Sequence, residues 1–73
     1  MADELTVDVR WLEPPEPFER VVNALDSLPP DTSLRVLIHR EPHPLYRWLM
    51  REGYRYQTRF DPEGWFEIRI SRH

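Results

Sequence analysis

The sequence predicts an α/β two-layer sandwich in which two helices cover one face of a four-stranded mixed sheet. Four segments alternate apolar and polar residues, two segments repeat apolar residues at helical spacing, and their order is β-α-β-α-β-β. Each strand has one apolar and one polar face, so we expect helices on one side only. The 73 residues allow a single domain, which we place at residues 5–72 after a flexible segment at residues 1–4.

A proline-rich turn separates the first predicted strand from the first helix. Residues 5–9 alternate as a half-buried strand does. Prolines at 14, 15 and 17 favour extended geometry and then suit the first turn of a helix. From Phe18 to Leu28 the apolar residues share one helical face, and Pro29 and Pro30 should end the helix.

The remaining segments predict a second strand, a second helix and a hairpin. Residues 34–38 alternate, and the intervening helix indicates a parallel crossover from the first strand. Leu45, Trp48 and Leu49 mark the second helix, and Gly53 suits the left-handed position after its end. Residues 54–60 and 66–70 alternate around a turn, which is typical of an antiparallel hairpin.

Composition excludes several classes of function. The chain has no cysteine, so it has no disulfide, catalytic thiol or cysteine metal site. No apolar run approaches the roughly 20 residues of a membrane span, and no signal-peptide pattern is present, so we expect a cytoplasmic protein without a membrane partner. Residues 1–31 hold eight acids and two arginines, whereas residues 32–73 hold five acids and eight arginines. The net charge of −3 disfavours generic DNA binding, although a local basic face remains open.

The first strand and the turn after it resemble a known family. The run VDVRWLEPPEP at residues 7–17 is similar to the TusA/SirA sulfur-carrier signature, Leu-Asp-x-x-Gly-Leu-x-Cys-Pro-x-Pro. The resemblance covers residues 5–72 and implies the same β-α-β-α-β-β sandwich. Trp11 stands at the motif glycine and Pro14 at the sulfur-carrying cysteine. Because the proline side chain has no nucleophilic group to carry sulfur, the resemblance implies that this chain has the family's scaffold but not its sulfur-transfer activity.

The double proline and the stretch at residues 40–46 resemble a cysteine-less bacterial branch of this superfamily, the domain of unknown function 2249. This branch implies a partner in redox, respiratory or sulfur metabolism. We therefore predict a non-enzymatic binding or regulatory module with a protein partner and no cofactor. The sequence indicates no particular oligomeric state.

The first candidate site is the edge where both parallel strands end and both helices begin. Ligands tend to bind beyond the carboxyl ends of parallel strands, and helix N-termini favour anions. The residues predicted to bind a partner or ligand there are Glu13, Pro14, Pro15, Glu16, Arg40 and His43. A small anion or a metal bound through His39, His43 and nearby carboxylates such as Glu41 is a further alternative, although the histidines lack a recognised ligand spacing. A structural role also fits, with His43 capping the second helix or bonding its loop and His39 solvated.

The second candidate site is the open face of the sheet, where arginines accompany one tryptophan. The residues predicted to bind a partner or nucleic acid there are Arg35, Arg55, Arg59, Trp65 and Arg69. Single-stranded nucleic acids bind such faces by stacking and phosphate contacts, and protein partners use the same residue types. The negative net charge favours a protein partner, with nucleic acid as the alternative. Cross-strand pairing of Arg59 with Glu67, with Trp65 under arginine side chains, is the simpler interpretation.

Catalysis has the weakest support in the sequence. There is no Ser-His-Asp set or metalloprotease motif, and two glycines are too few for a phosphate-binding loop. Asp8 and Glu13 could form an acid–base pair, but no pattern indicates a deep pocket beside them. Pairing of Asp8 with a neighbouring arginine is simpler, so we predict no catalytic residues.

Overall fold

The computed structural model describes residues 3–72 and has the predicted order of elements. These are β1 (Asp3–Asp8), α1 (Glu16–Asp26), β2 (Thr32–Ile38), α2 (His43–Arg51), β3 (Tyr54–Phe60) and β4 (Phe66–Arg72). One sheet holds the strands in the order β1-β2-β4-β3. β1 and β2 are parallel, whereas β4 is antiparallel to both of its neighbours. The predicted α/β sandwich with a mixed sheet and a C-terminal hairpin is therefore confirmed.

Both helices pack on the same face of the sheet through one apolar core. Val21 and Leu25 of α1 and Leu45 and Leu49 of α2 are buried. They meet the apolar face of the two central strands, formed by Leu34, Val36, Ile38, Ile68 and Ile70. Each such side chain contributes about 1.5–3 kcal/mol when fully buried. Neither helix in this part of the chain is long and apolar enough to cross a membrane.

The two helices begin with the same local pattern. Pro15 precedes α1 and Pro17 is its second residue, just as Pro42 precedes α2 and Pro44 is its second residue. Proline is tolerated there because its missing N–H would have no partner within the helix. At the other end of α2, Gly53 adopts a φ of 84°, as its predicted left-handed position requires.

Several details differ from the sequence predictions. β1 begins at Asp3 rather than at residue 5, because Asp3 pairs in register with Thr32 of β2. Residues 1 and 2 of the predicted N-terminal segment lie outside the described residues. Leu5 and Phe60 alternate onto the core face yet are 49% and 59% exposed, since both lie on edge strands and Phe60 is also the last residue of β3. Leu37 is on the open face but only 8% exposed.

Candidate functional site

A groove lies at the edge of the sheet where β2 ends and both helices begin. Its volume is about 210 Å³. Five prolines line it, namely Pro14, Pro15, Pro17, Pro42 and Pro44. Its other apolar lining residues are Leu12, Phe18, Ile38 and Leu45. His39, Arg40 and Glu41 supply the polar side chains, so the edge predicted to bind a partner or ligand is mainly an apolar groove.

The prolines leave few amide donors for an anion at the helix N-termini. Pro15 and Pro17 have no N–H, and the N–H of Glu16 donates to the carbonyl of Glu13 at 3.0 Å. At α2, Pro42 and Pro44 have none either, and the N–H of His43 donates to the carbonyl of Glu41 at 3.2 Å. The geometry thus favours an apolar ligand over the small anion considered from the sequence.

Trp11 stands exposed beside the groove. Trp11 is 72% exposed, and its backbone φ is 69°. The indole stacks on the imidazole of His39, with centroids 5.2 Å apart, and the backbone N–H of Trp11 donates to His39 Nδ1 at 2.9 Å. His39 is therefore a structural partner of this turn rather than a merely solvated residue. Trp11 is not among the site residues predicted from the sequence.

The structure brings together only part of the predicted edge set. Pro14, Pro15 and Arg40 line the groove, whereas Glu13, Glu16 and His43 do not. Glu16 forms an ion pair with Arg20 one turn along α1, at 3.0 Å. The side chain of His43 is 68% exposed and lies 3.5 Å from Glu41, and it does not cap α2.

Tyr46 ties Glu41 to the sheet. Its Oη donates to Glu41 Oε2 at 3.2 Å and lies 2.7 Å from Thr58 Oγ1. The ring stacks on that of Tyr56, with centroids 4.6 Å apart and planes 6° from parallel. Burial raises the pKa of the Tyr46 phenol, which therefore remains a hydrogen-bond donor at neutral pH. The hydrogen bond from Tyr46 thus fixes the position of the Glu41 carboxylate at the side of the groove.

The histidines and carboxylates of residues 3–72 do not form a metal-binding cluster. No group of three or more such side chains there is arranged to hold a metal ion. His39 already uses Nδ1 to accept a hydrogen bond from the backbone N–H of Trp11. In the same range of residues, His43 is paired with a single carboxylate, that of Glu41.

On the open face, three arginines converge on the carboxylate of Glu67. This residue is only 6% exposed. It accepts hydrogen bonds from Arg35 Nε and from Arg59 Nε, the latter at 3.5 Å. Arg69 Nε lies 3.7 Å from Glu67 and 3.3 Å from Glu4. Burial disfavours the charged carboxylate, yet the hydrogen bonds and positive charges of Arg35 and Arg59 outweigh it and hold the pKa of Glu67 below its usual value.

The tryptophan of the open face is covered. The guanidinium of Arg10 lies 4.9 Å from the ring centroid of Trp65, which is half-buried. Two hydrogen bonds, of 2.9 and 2.8 Å, hold that guanidinium against Asp8, and they lower the pKa of the Asp8 carboxyl. Arg55 is exposed on β3, opposite Ser71. Most of the predicted binding residues of this face thus contact Glu67 or Arg10.

Fold and site together define a small α/β sandwich domain whose helix-start edge carries an apolar, proline-lined groove. Over residues 6–72 the chain matches the family described as Uncharacterized conserved protein (DUF2249). The match spans almost the whole domain, so the chain belongs to this family. No curated protein and no solved structure matched the chain.

Proposed function

We propose that this chain is a non-catalytic, cytoplasmic protein-binding module whose groove receives one apolar side chain of a partner protein. The size and lining of the groove carry the proposal. Its 210 Å³ exceeds the roughly 150 Å³ of a cavity that holds benzene. It lies below the roughly 300–1,000 Å³ typical of drug-sized ligands. One aromatic or branched side chain therefore fits better than a cofactor.

The groove is also suited to binding by its rigidity. Each proline fixes its own φ, so the five lining prolines leave few backbone conformations to be lost when a partner binds. Trp11 adds a large exposed ring on the neighbouring turn, and tryptophan is among the residues that contribute most to protein interfaces.

The proposed ancestry is a TusA-like scaffold that has kept its shape without sulfur chemistry. Two observations support it: the β-α-β-α-β-β order, and the positive φ of Trp11 at the position of the motif glycine. Pro14, at the position of the carrier cysteine, lines the groove. A binding role in redox, respiratory or sulfur metabolism follows as part of this proposal.

An affinity pull-down from native cytoplasm, with and without nuclease, tests the proposed function. We expect one protein to co-purify in stoichiometric amount after nuclease treatment. Trp11→Ala should weaken its capture about 30-fold, as expected for an interface residue worth about 2 kcal/mol. Arg55→Gln, an open-face variant, should leave capture unchanged, and melting temperatures should show that both variants fold.

Two results would contradict this proposal. Capture unaffected by Trp11→Ala would exclude Trp11 from the interface and contradict its proposed role beside the groove. Recovery of nucleic acid that is released by modest salt and lost in Arg55→Gln would assign the function to the open face instead. The observed pairing of the open-face arginines with Glu67, Glu4 and Asp8 favours the groove over that alternative.

A further inference from the structure

The arginines of this chain differ in whether they already have a partner. Among residues 3–72, most arginine side chains contact a carboxylate or a carbonyl, as Arg20 does with Glu16 and Arg72 does with Leu25. Arg40, Arg47 and Arg51 form no side-chain hydrogen bond or ion pair within that range. Of these three, only Arg40 lines the groove.

The carboxylates near the groove do not satisfy Arg40. Glu41, which lines the groove, has Oε2 hydrogen-bonded to Tyr46 at 3.2 Å and Oε1 3.5 Å from His43 Nε2. Glu16 is paired with Arg20. Glu13 is exposed and outside the lining. The groove therefore presents an apolar surface with one uncommitted guanidinium beside it.

We infer that the partner segment carries a carboxylate next to the apolar side chain that enters the groove, and that Arg40 binds this carboxylate. The inference rests on the proposed function and specifies the chemistry of the partner. A guanidinium is a planar fork that matches a carboxylate. Glu41 keeps its negative charge in the same lining, but its oxygens already face Tyr46 and His43, so Arg40 is the charged lining side chain left without a partner. An apolar lining beside this unpaired cation favours an acidic, apolar peptide segment. Because the whole chain has a net charge of −3, long-range attraction would favour a basic segment, so an acidic preference must arise locally.

Three blocked tripeptides test the inference: Asp-Phe-Asp, Asn-Phe-Asn and Lys-Phe-Lys, each acetylated and amidated. They are titrated into the full chain while NMR follows the methyl signals of Leu12, Ile38 and Leu45, which line the groove. We expect the acidic peptide to bind about two- to fivefold more tightly than the neutral one, the range of an exposed ion pair. The basic peptide should bind most weakly.

Variants of two unpaired arginines assign the preference to its source. Arg40→Gln should remove the difference between the acidic and neutral peptides, and Arg40→Glu should reverse the order of the acidic and basic ones. Arg47→Gln is the matched control, because Arg47 is equally unpaired but outside the groove lining. It should leave the order unchanged.

The outcomes separate this inference from the proposed function. If all three peptides shift the groove methyls with equal affinity, the carboxylate preference is overturned and the apolar groove stands. The same conclusion follows if the preference survives Arg40→Gln. If no peptide shifts these methyls, the groove does not accept an apolar side chain, and both the inference and the proposed function are overturned.

Discussion

Within residues 3–72, Trp11 and Asp31 have a positive φ without being glycine, and aspartate tolerates this conformation better than tryptophan does. A non-glycine residue in the left-handed region is destabilised by roughly 1–2 kcal/mol, and Trp11 has a φ of 69°. Burial does not compensate for this, because the residue is 72% exposed. The stack of its ring on His39 and the hydrogen bond from its backbone N–H to that imidazole hold the turn. An exposed aromatic kept in a strained conformation is consistent with a role in binding.

Two substitutions of Trp11 separate strain from binding. Both Trp11→Gly and Trp11→Ala remove the ring, but only glycine adopts the positive φ without strain. After the entropy that glycine adds to the unfolded chain is subtracted, we expect the glycine variant to be more stable by about 0.5–1 kcal/mol in urea unfolding. Both should lose partner binding. Greater stability of the alanine variant would show that the turn relaxes once the ring is removed.

At the scale of elements, periodicity predicted the type of every helix and strand, while some ends depended on partners elsewhere. Asp3 belongs to β1 because β2 pairs with it, and its own residue type carries no strand signal. The helical spacing extends to Leu28, yet α1 ends at Asp26, since a residue before proline avoids helical geometry and Leu28 precedes Pro29. Leu28 remains in the core at 4% exposure, so its apolar signal was correct although its element was not.

The C-terminus of α1 is stabilised by a residue from the last strand. The last turn of α1 contains no basic residue, but Arg72 of β4 donates from Nη2 to the carbonyl of Leu25 at 3.1 Å. We expect Arg72→Gln to lower the free energy of unfolding by about 0.5–1 kcal/mol, because a carbonyl at the negative end of the helix loses a cationic donor. Arg47→Gln, which removes an unpaired arginine from an exposed helical position, should change it by less than about 0.5 kcal/mol. Equal effects of the two substitutions would show that the Arg72 bond adds no stability.

At the scale of the whole molecule, the sites depend on how distant segments meet. The sequence placed both proline turns at one edge, because parallel strands end together, but it did not reveal that their prolines would line a common groove. It likewise placed the arginines on the open face, and the strand register then set Arg59 opposite Glu67. The simpler interpretation of that face, pairing of Arg59 with Glu67 and an arginine over Trp65, is what the structure shows.

The convergence of three arginines on Glu67 makes the stability of the domain sensitive to acid. The pKa of Glu67 is lower in the folded state than in the unfolded state. The stability that the charged Glu67 adds to the fold is therefore fully present above the unfolded pKa of about 4.3, and it is lost as the pH falls through the folded pKa. Glu67→Gln should lower the free energy of unfolding by about 1–2 kcal/mol at pH 7, because Arg35 and Arg59 lose a charged acceptor. The variant should lose less stability than the wild type between pH 5 and about pH 2.5.

Urea unfolding across this pH range measures the difference, with Glu52→Gln as the control. Glu52 is an exposed carboxylate after the end of α2, so its substitution should preserve the acid dependence of the wild type. Parallel stability curves for the wild type and Glu67→Gln would mean that protonation of Glu67 leaves the open face intact. The arginines would then be held by packing and by their other neighbours, such as Glu4 beside Arg69, rather than by the charge of Glu67. A steeper acid dependence in the wild type would instead make Glu67 the residue that holds the charges of this face together.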